Sequence, residues 1–158
     1  MANASRKEIE RKFRVDPAWQ PPGKGVAYEQ GYLSSVAERV VRVRIEGDEA
    51  KLTIKGKTTG VTRSEYEYAI PVEDAEAMLR ALCEQPTIRK RRHHVEHAGK
   101  TWEVDVFAGD NEGLVIAELE LASEDEAFDK PPWVREEVSD DPRYYNANLV
   151  NHPYKRWG

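Results

Sequence analysis

The stretch Lys7-Glu8-Ile9-Glu10-Arg11-Lys12-Phe13 restricts this chain more than any other. Read with the period of a strand, Glu8, Glu10 and Lys12 share one face and Ile9, Arg11 and Phe13 the other. Same-face neighbours then stand about 7 Å apart. One such segment is also explained by an edge strand with a solvated, charged outer face. The pattern recurs, however. Acidic pairs at i,i+2 occur at Glu65/Glu67, Glu103/Asp105 and Glu118/Glu120, and basic pairs at Arg42/Arg44 and Lys90/Arg92, with Lys55 alternating against Leu52 and Ile54.

Glutamate is a poor strand former, and like charges along one strand repel unless counter-charges stand opposite. Closing about eight antiparallel strands into a barrel leaves an interior just wide enough for one small ligand. Charge inside is tolerable only where acid, base and ligand neutralise one another. The pattern therefore points to a polar-lined tunnel with one acidic and one basic wall, against the competing reading of an ordinary salt-bridged sheet. Guanidinium and ammonium groups suit a run of phosphates. Carboxylates can share that cavity when a hard divalent cation such as Mg²⁺ or Mn²⁺ stands between.

In chain order, strands are expected over Ser5 to Val15, Val26 to Ser34, Glu38 to Ile45, Ala50 to Lys57 and Thr62 to Ile70. Gly47-Asp48 and Gly60 mark turns. Val72 to Cys83 switches to helical spacing, with Ala75, Met78, Leu79 and Leu82 on one side. Three more strands follow over Thr87 to His97, Thr101 to Phe107 and Leu114 to Leu121. Ser123 is placed to cap a short acidic helix through Phe128, and Asp141-Pro142 to open a last helix reaching about Val150. The expected class is α+β: an eight-stranded antiparallel closed β-barrel with flanking helices, in a single domain over residues 1–158.

The 158 residues suffice for a sizeable core, and 34% of them are charged. A net charge of -5 argues against a nucleic-acid binder. The lone Cys83 excludes an intrachain disulfide and fits a reducing cytosol, so the expected location is cytoplasmic. Met1 to Lys7 has no apolar run of a signal peptide, and no stretch approaches the length of a membrane span.

The motif series resembles a known family. Glu8-Ile9-Glu10-Arg11-Lys12 has the ExExK form of the CYTH superfamily, the triphosphate tunnel metalloenzymes. Gln30-Gly31-Tyr32-Leu33, Arg42-Val43-Arg44, Leu52-Thr53-Ile54-Lys55, Arg63-Ser64-Glu65-Tyr66-Glu67, Lys90-Arg91-Arg92, Glu103-Val104-Asp105-Val106-Phe107 and Glu118-Leu119-Glu120 follow in order, so the likeness covers nearly the whole chain. The chain is most similar to the short bacterial inorganic triphosphatases. The resemblance implies metal-dependent cleavage of a linear triphosphate. Glu8, Glu10, Glu118 and Glu120 would be metal ligands, with Asp105 and Glu65 or Glu67 completing the acidic side for a second ion. Lys12, Arg42, Arg44, Lys55 and Arg92 would hold phosphates, Tyr32 would sit near the tunnel mouth, and either Lys90, as general base, or a second metal ion would ready the attacking water. A one-residue register slip in Arg89-Lys90-Arg91-Arg92 would put Arg89 or Arg91 inside instead.

Other signals carry less. Gly56-Lys57-Thr58 lacks the first glycine of a P-loop, since position 51 is Lys51. His93 and His94 point to opposite strand faces and, with His97, read as a solvated strand end rather than a zinc site. Cys83 reads as a small core residue, and Trp19, Trp102, Trp133 and Trp157 as packing, with Trp102 in an outer layer under a helix. Arg143-Tyr144-Tyr145 is a candidate plug at one tunnel end. The leading function is hydrolysis of inorganic triphosphate by a monomer or homodimer. The alternatives are a class IV-type adenylate cyclase and a non-catalytic polyphosphate-binding module.

Overall fold

The structure, a computed structural model, describes residues 6–157. Nine strands are present: β1 (Lys7–Val15), β2 (Val26–Val36), β3 (Arg39–Glu46), β4 (Glu49–Gly56), β5 (Thr62–Ile70), β6 (Ile88–His97), β7 (Lys100–Phe107), β8 (Val115–Glu120) and β9 (Val134–Glu137). Of the expected first strand, Ser5 lies outside the described residues. All pairings are antiparallel, in the order β5-β4-β3-β2-β6-β7-β8-β1.

The ring closes where β1 meets β5, with Lys7 opposite Ser64, Glu8 opposite Arg63 and Ile9 opposite Thr62. The other edge of β1 pairs with β8 from Glu10–Glu120 to Arg14–Ile116. Thus β1 is shared: its first half completes the barrel against β5, while its far end on the same edge holds β9 through Phe13 and Val15. The ninth strand was not expected, because Val-Arg-Glu-Glu is too short and too acidic to show a pattern.

Period-two alternation sends charges inward and apolar residues outward on most strands. Outside, α1 (Val72–Ala81) lays Ala75 and Leu79 over Val43 and Ala50, with Cys83 in the same layer. Burial pushes the Cys83 thiol pKa up, the opposite of an activated nucleophile. A second outer layer joins Phe13, Trp102, Val104, Ala117 and Leu119, and Trp102 is fully enclosed. What covers Trp102 is a loop carrying Phe128 and Trp133, not a helix.

Two helix expectations change. Residues 123–125 form a bend and a turn and 126–128 are irregular, so there is no helix here. There the Ser123 hydroxyl donates to Asp125 and Glu126 accepts from the Ala122 amide, so local side chains satisfy groups a helix would have used. The expected last helix is broken in two. Asp141 does cap Pro142, accepting from the Arg143 amide at 3.1 Å, but only a 3-10 turn over Pro142–Tyr144 results. Tyr145 is extended, and its hydroxyl donates to the Ser139 carbonyl at 2.9 Å. The four-residue α2 (Asn146–Leu149) then starts in a new direction. The described residues therefore hold two α-helices rather than three.

One end of the barrel is apolar inside. Tyr32, Val40, Ile88, Phe107 and Ile116 meet Val138, Tyr144, Leu149 and Val150 from the C-terminal segment, with Trp157 packed edge-on to Tyr144. This plug makes the floor of the charged cavity. Among the described residues, no helix is long and apolar enough to cross a membrane.

Gly31 on β2 packs tightly against the α1 layer: a Cβ there would lie 2.9 Å from Cys83 Cβ and 2.9 Å from Leu79 Cδ2. Gly31→Ala is therefore expected to destabilise the fold by about 1–3 kcal/mol. A thermal melt, read against Gly23→Ala in open space, measures it.

Candidate active site

The charged rows line a cavity of about 770 Å³ inside the ring. Glu8, Glu10 and Lys12 enter from β1, Arg42 and Arg44 from β3, and Lys55 from β4. Arg63, Glu65 and Glu67 come from β5, Lys90 and Arg92 from β6, Glu103 from β7, and Glu118 and Glu120 from β8. The register of β6 settles which residue of the basic run faces inward: Lys90 and Arg92 are buried, whereas Arg89 and Arg91 are exposed. Going round the ring, β1, β8 and β7 make the acidic wall, and β6, β3 and β4 the basic one.

Buried ion pairs tie the strands together around the cavity. Lys12 Nζ lies 2.5 Å from Glu118 Oε2 and 3.4 Å from Glu10 Oε1. Lys55 Nζ reaches Glu8 at 3.1 Å, and Arg63 Nε donates to the same carboxylate at 3.2 Å. Burial opposes ionisation of Glu8, but Lys55 and Arg63 outweigh it and hold its pKa at about 2. Arg92 forks onto Asp105 with Nε and Nη2 at 2.8 and 2.9 Å, and reaches Glu118 at 3.2 Å. Lys90 Nζ lies 2.8 Å from Asp105 Oδ2. Burial, aided by Arg92 and Arg44, overrides Asp105 and brings the Lys90 pKa down to about 8.

Arg42 differs from the other bore cations. Its guanidinium is buried, its Nε has no hydrogen-bond partner among the described residues, and its contacts are Thr53 at 3.3 Å and Glu67 at 3.5 Å. Burial and then Arg44 lower its pKa.

The carboxylates form two overlapping groups whose oxygens lie within 4.8 Å of one another: Glu8, Glu10 and Glu120, and Glu10, Glu103 and Glu118. Burial first, then Glu118 and Glu8, pushes the Glu10 pKa up to about 8. Burial, then Glu103 and Glu8, pushes Glu120 to about 7. Crowded oxygens that resist ionisation are the donor set a hard divalent cation neutralises, so these residues fit such an ion.

Several expected positions are placed differently. Asp105 is fully buried with both oxygens engaged by cations, and it belongs to neither carboxylate group. Glu65 and Glu67 line the cavity but pair with Lys55 at 3.6 Å and Arg42 at 3.5 Å, apart from those groups. Tyr32 is 2% exposed and belongs to the apolar floor rather than a mouth. Tyr145 lines the cavity at that floor, while Arg143 turns outward onto Asp141 at 2.8 Å. His93 is not solvated: it is buried with its ring edge-on to Trp19. His94 lines the cavity 3.6 Å from Glu103. Sequence reasoning left Glu103 out of the ligand candidates, although its parity with Asp105 placed it on the inner face. Asn146 carried no signal, because only the break at Tyr145 brings it inside.

Fold and site together define a class: a closed antiparallel barrel enclosing a cationic wall and a carboxylate centre with metal-ligand spacing. Residues 6–152 match the CYTH domain, and the chain belongs to that family. It is 52% identical over 152 residues to an inorganic triphosphatase of Acetivibrio thermocellus, covering 96% of this chain and 97% of that protein. An inorganic triphosphatase of Nitrosomonas europaea is 40% identical over 149 residues, covering 90% and 96%. The crystal structure of the inorganic triphosphatase NE1496 superposes with a TM-score of 0.63 at 38% identity, over 95% of each chain. A putative adenylate cyclase from Bacillus halodurans, at 16% identity, TM-score 0.58 and coverage of 76% and 84%, shares the fold alone.

The raised carboxyls set a sign for stability in chelator. Folded Glu10 and Glu120 hold protons up to about 8 and about 7, whereas the unfolded chain releases them near 4.5. Through that window the folded state binds more protons, so stability of the metal-free protein falls as pH rises. Urea melts between pH 5 and 7 are expected to show this decline, and Glu120→Gln to lessen it; at higher pH Lys90, lowered to about 8, works in the opposite direction.

Proposed function

We propose that this chain is a metal-dependent triphosphatase that hydrolyses a phosphoanhydride bond of inorganic triphosphate, giving phosphate and pyrophosphate. The observation that carries the reading is a row of buried cations, Arg42, Arg44, Lys55 and Arg92, lining one enclosed cavity together with clustered carboxylates. The inorganic triphosphatases to which the chain is 52% and 40% identical support the same substrate.

In this reading Arg42, Arg44, Lys55, Arg92 and Lys12 hold phosphate oxygens. Glu8, Glu10 and Glu120 would hold a Mg²⁺ or Mn²⁺ ion, with Glu103 and Glu118 sharing Glu10 in a second group. Bound there, the ion would supply charge neutralisation for the phosphate oxygens and for the carboxylates. Asp105 acts as the counter-charge for Lys90 and Arg92 rather than as a ligand. Lys90, with a pKa of about 8, accepts a proton from the water that attacks the terminal phosphorus in line with the departing pyrophosphate. The remaining work is positioning by fixed cations. Cys83, buried beneath α1, fits a reducing compartment, and we place the reaction in the cytosol.

Purified protein given Mg²⁺ or Mn²⁺ with tripolyphosphate, and separately with ATP or thiamine triphosphate, tests the substrate. Phosphate plus pyrophosphate from tripolyphosphate is the expected result. Cyclic AMP from ATP would make the protein a cyclase, and binding without release a polyphosphate-binding module. Glu8→Ala and Glu120→Ala are expected to lower kcat/KM by about a hundredfold or more while leaving a folded barrel by circular dichroism. Near-normal turnover by either would remove it from the ion's ligands.

A further inference from the structure

The break at Tyr145 brings one side chain of the C-terminal segment against the proposed base. Asn146 Oδ1 accepts from Lys90 Nζ at 2.9 Å and from Gln30 Nε2 at 3.2 Å. Gln30 is fully buried, and its Nε2 also donates to the Tyr32 hydroxyl at 2.8 Å. Two donors converging on one oxygen fix which way the Asn146 amide faces. The Lys90 amine meets a second acceptor in Asp105 Oδ2 at 2.8 Å, and the Phe107 ring stands 5.4 Å from Nζ. A neutral amine has two N–H bonds and one lone pair. With Asp105 and Asn146 taking the two N–H bonds, the lone pair is left the one remaining tetrahedral direction.

We propose that Asn146, held by Gln30, is a positioning residue that fixes the Lys90 amine with its lone pair directed to substrate water. The inference rests on Lys90 serving as the base. It gives α2 a part in the reaction: the four-residue helix closing the floor also aims the group that takes the proton. In the catalytic step the attacking water passes one proton to the Lys90 lone pair, its oxygen bonds the terminal phosphorus, and the P–O bond to pyrophosphate breaks. Asn146 exchanges no proton. It keeps the amine from turning its lone pair toward the barrel wall.

The pH response separates positioning from packing. The charged and titratable groups around Lys90 are Asp105 on β7, Glu118 on β8, Arg92 on β6, Arg44 on β3 and Tyr28 opposite it on β2. None lies on α2, so a charge introduced at position 146 acts on Lys90 from a new side. Asn146→Asp keeps an acceptor of the same reach and adds a negative charge, which favours the ammonium form. The rise of kcat with pH is then expected to move up by about one to two pH units, with turnover approaching that of the unaltered chain above the new midpoint. Asn146→Leu keeps the bulk and removes the acceptor. Its kcat is expected to fall about ten- to a hundredfold, with KM for tripolyphosphate within about threefold. The ¹³Cε signal of Lys90 in metal-free, ¹³C-lysine-labelled protein, assigned by its loss in Lys90→Gln, reads the same midpoint without turnover.

Equal kcat losses in both variants with no change of midpoint would make Asn146 merely structural and overturn the proposal. So would an Asn146→Leu variant with unaltered kcat. Lys90→Gln separates the two readings. If it is inactive while Asn146→Leu is fully active, only the positioning role fails. If it keeps full activity, the base assignment fails and the positioning role with it.

Discussion

The structure depends on charge neutralisation inside a closed wall. Lys12, Glu118, Arg92, Asp105 and Lys90 form one chain of contacts across β1, β8, β7 and β6. Removing one member of such a network leaves its partner charged and buried, at a cost of about 3–5 kcal/mol. The pairing is also incomplete. Glu10 and Glu120 crowd other carboxylates, and Arg42 keeps a donor unused. The deficits have opposite signs on opposite walls, so one anion and one cation can relieve both.

Enclosure makes this possible, and it hangs on β1. Three residues, Lys7 to Ile9, close the ring against β5. The same strand brings in Glu8, Glu10 and Lys12, so the closure and the carboxylate centre share one piece of backbone. Outside, Phe13 on the opposite face of β1 anchors the layer around Trp102. The apolar faces of the strands hold the ring together without spending any inward position on packing, except at the floor.

The floor joins fold to chemistry. Its apolar residues seal one end of the cavity, and Asn146 reaches from its edge to Lys90. A continuous helix from Pro142 would carry Asn146 on a different path. The extended Tyr145, tied to Ser139, sets the turn that brings it in.

Most of the barrel was legible in the chain because strand periodicity is local. Which face Glu8, Arg42, Lys55 or Glu118 shares is settled by counting in twos, and the sum of those faces pointed to an enclosed, charged interior, while a salt-bridged open sheet fitted the same alternation. Positions that depend on neighbours distant in sequence were not legible. Asp105 has the same parity as Glu103, yet the register of β6 places Arg92 opposite Asp105 and turns it from ligand candidate to counter-charge, leaving Glu103 with the carboxylates. β9 exists only because β1 has a free edge beyond β5, and the acidic turn after Ser123 found its partners among side chains rather than a helical ladder. The sequence by itself determined which side chains face inward, since that follows from bond geometry along one strand. The tertiary structure decided which of them meet, since that follows from register and closure between strands far apart in the chain.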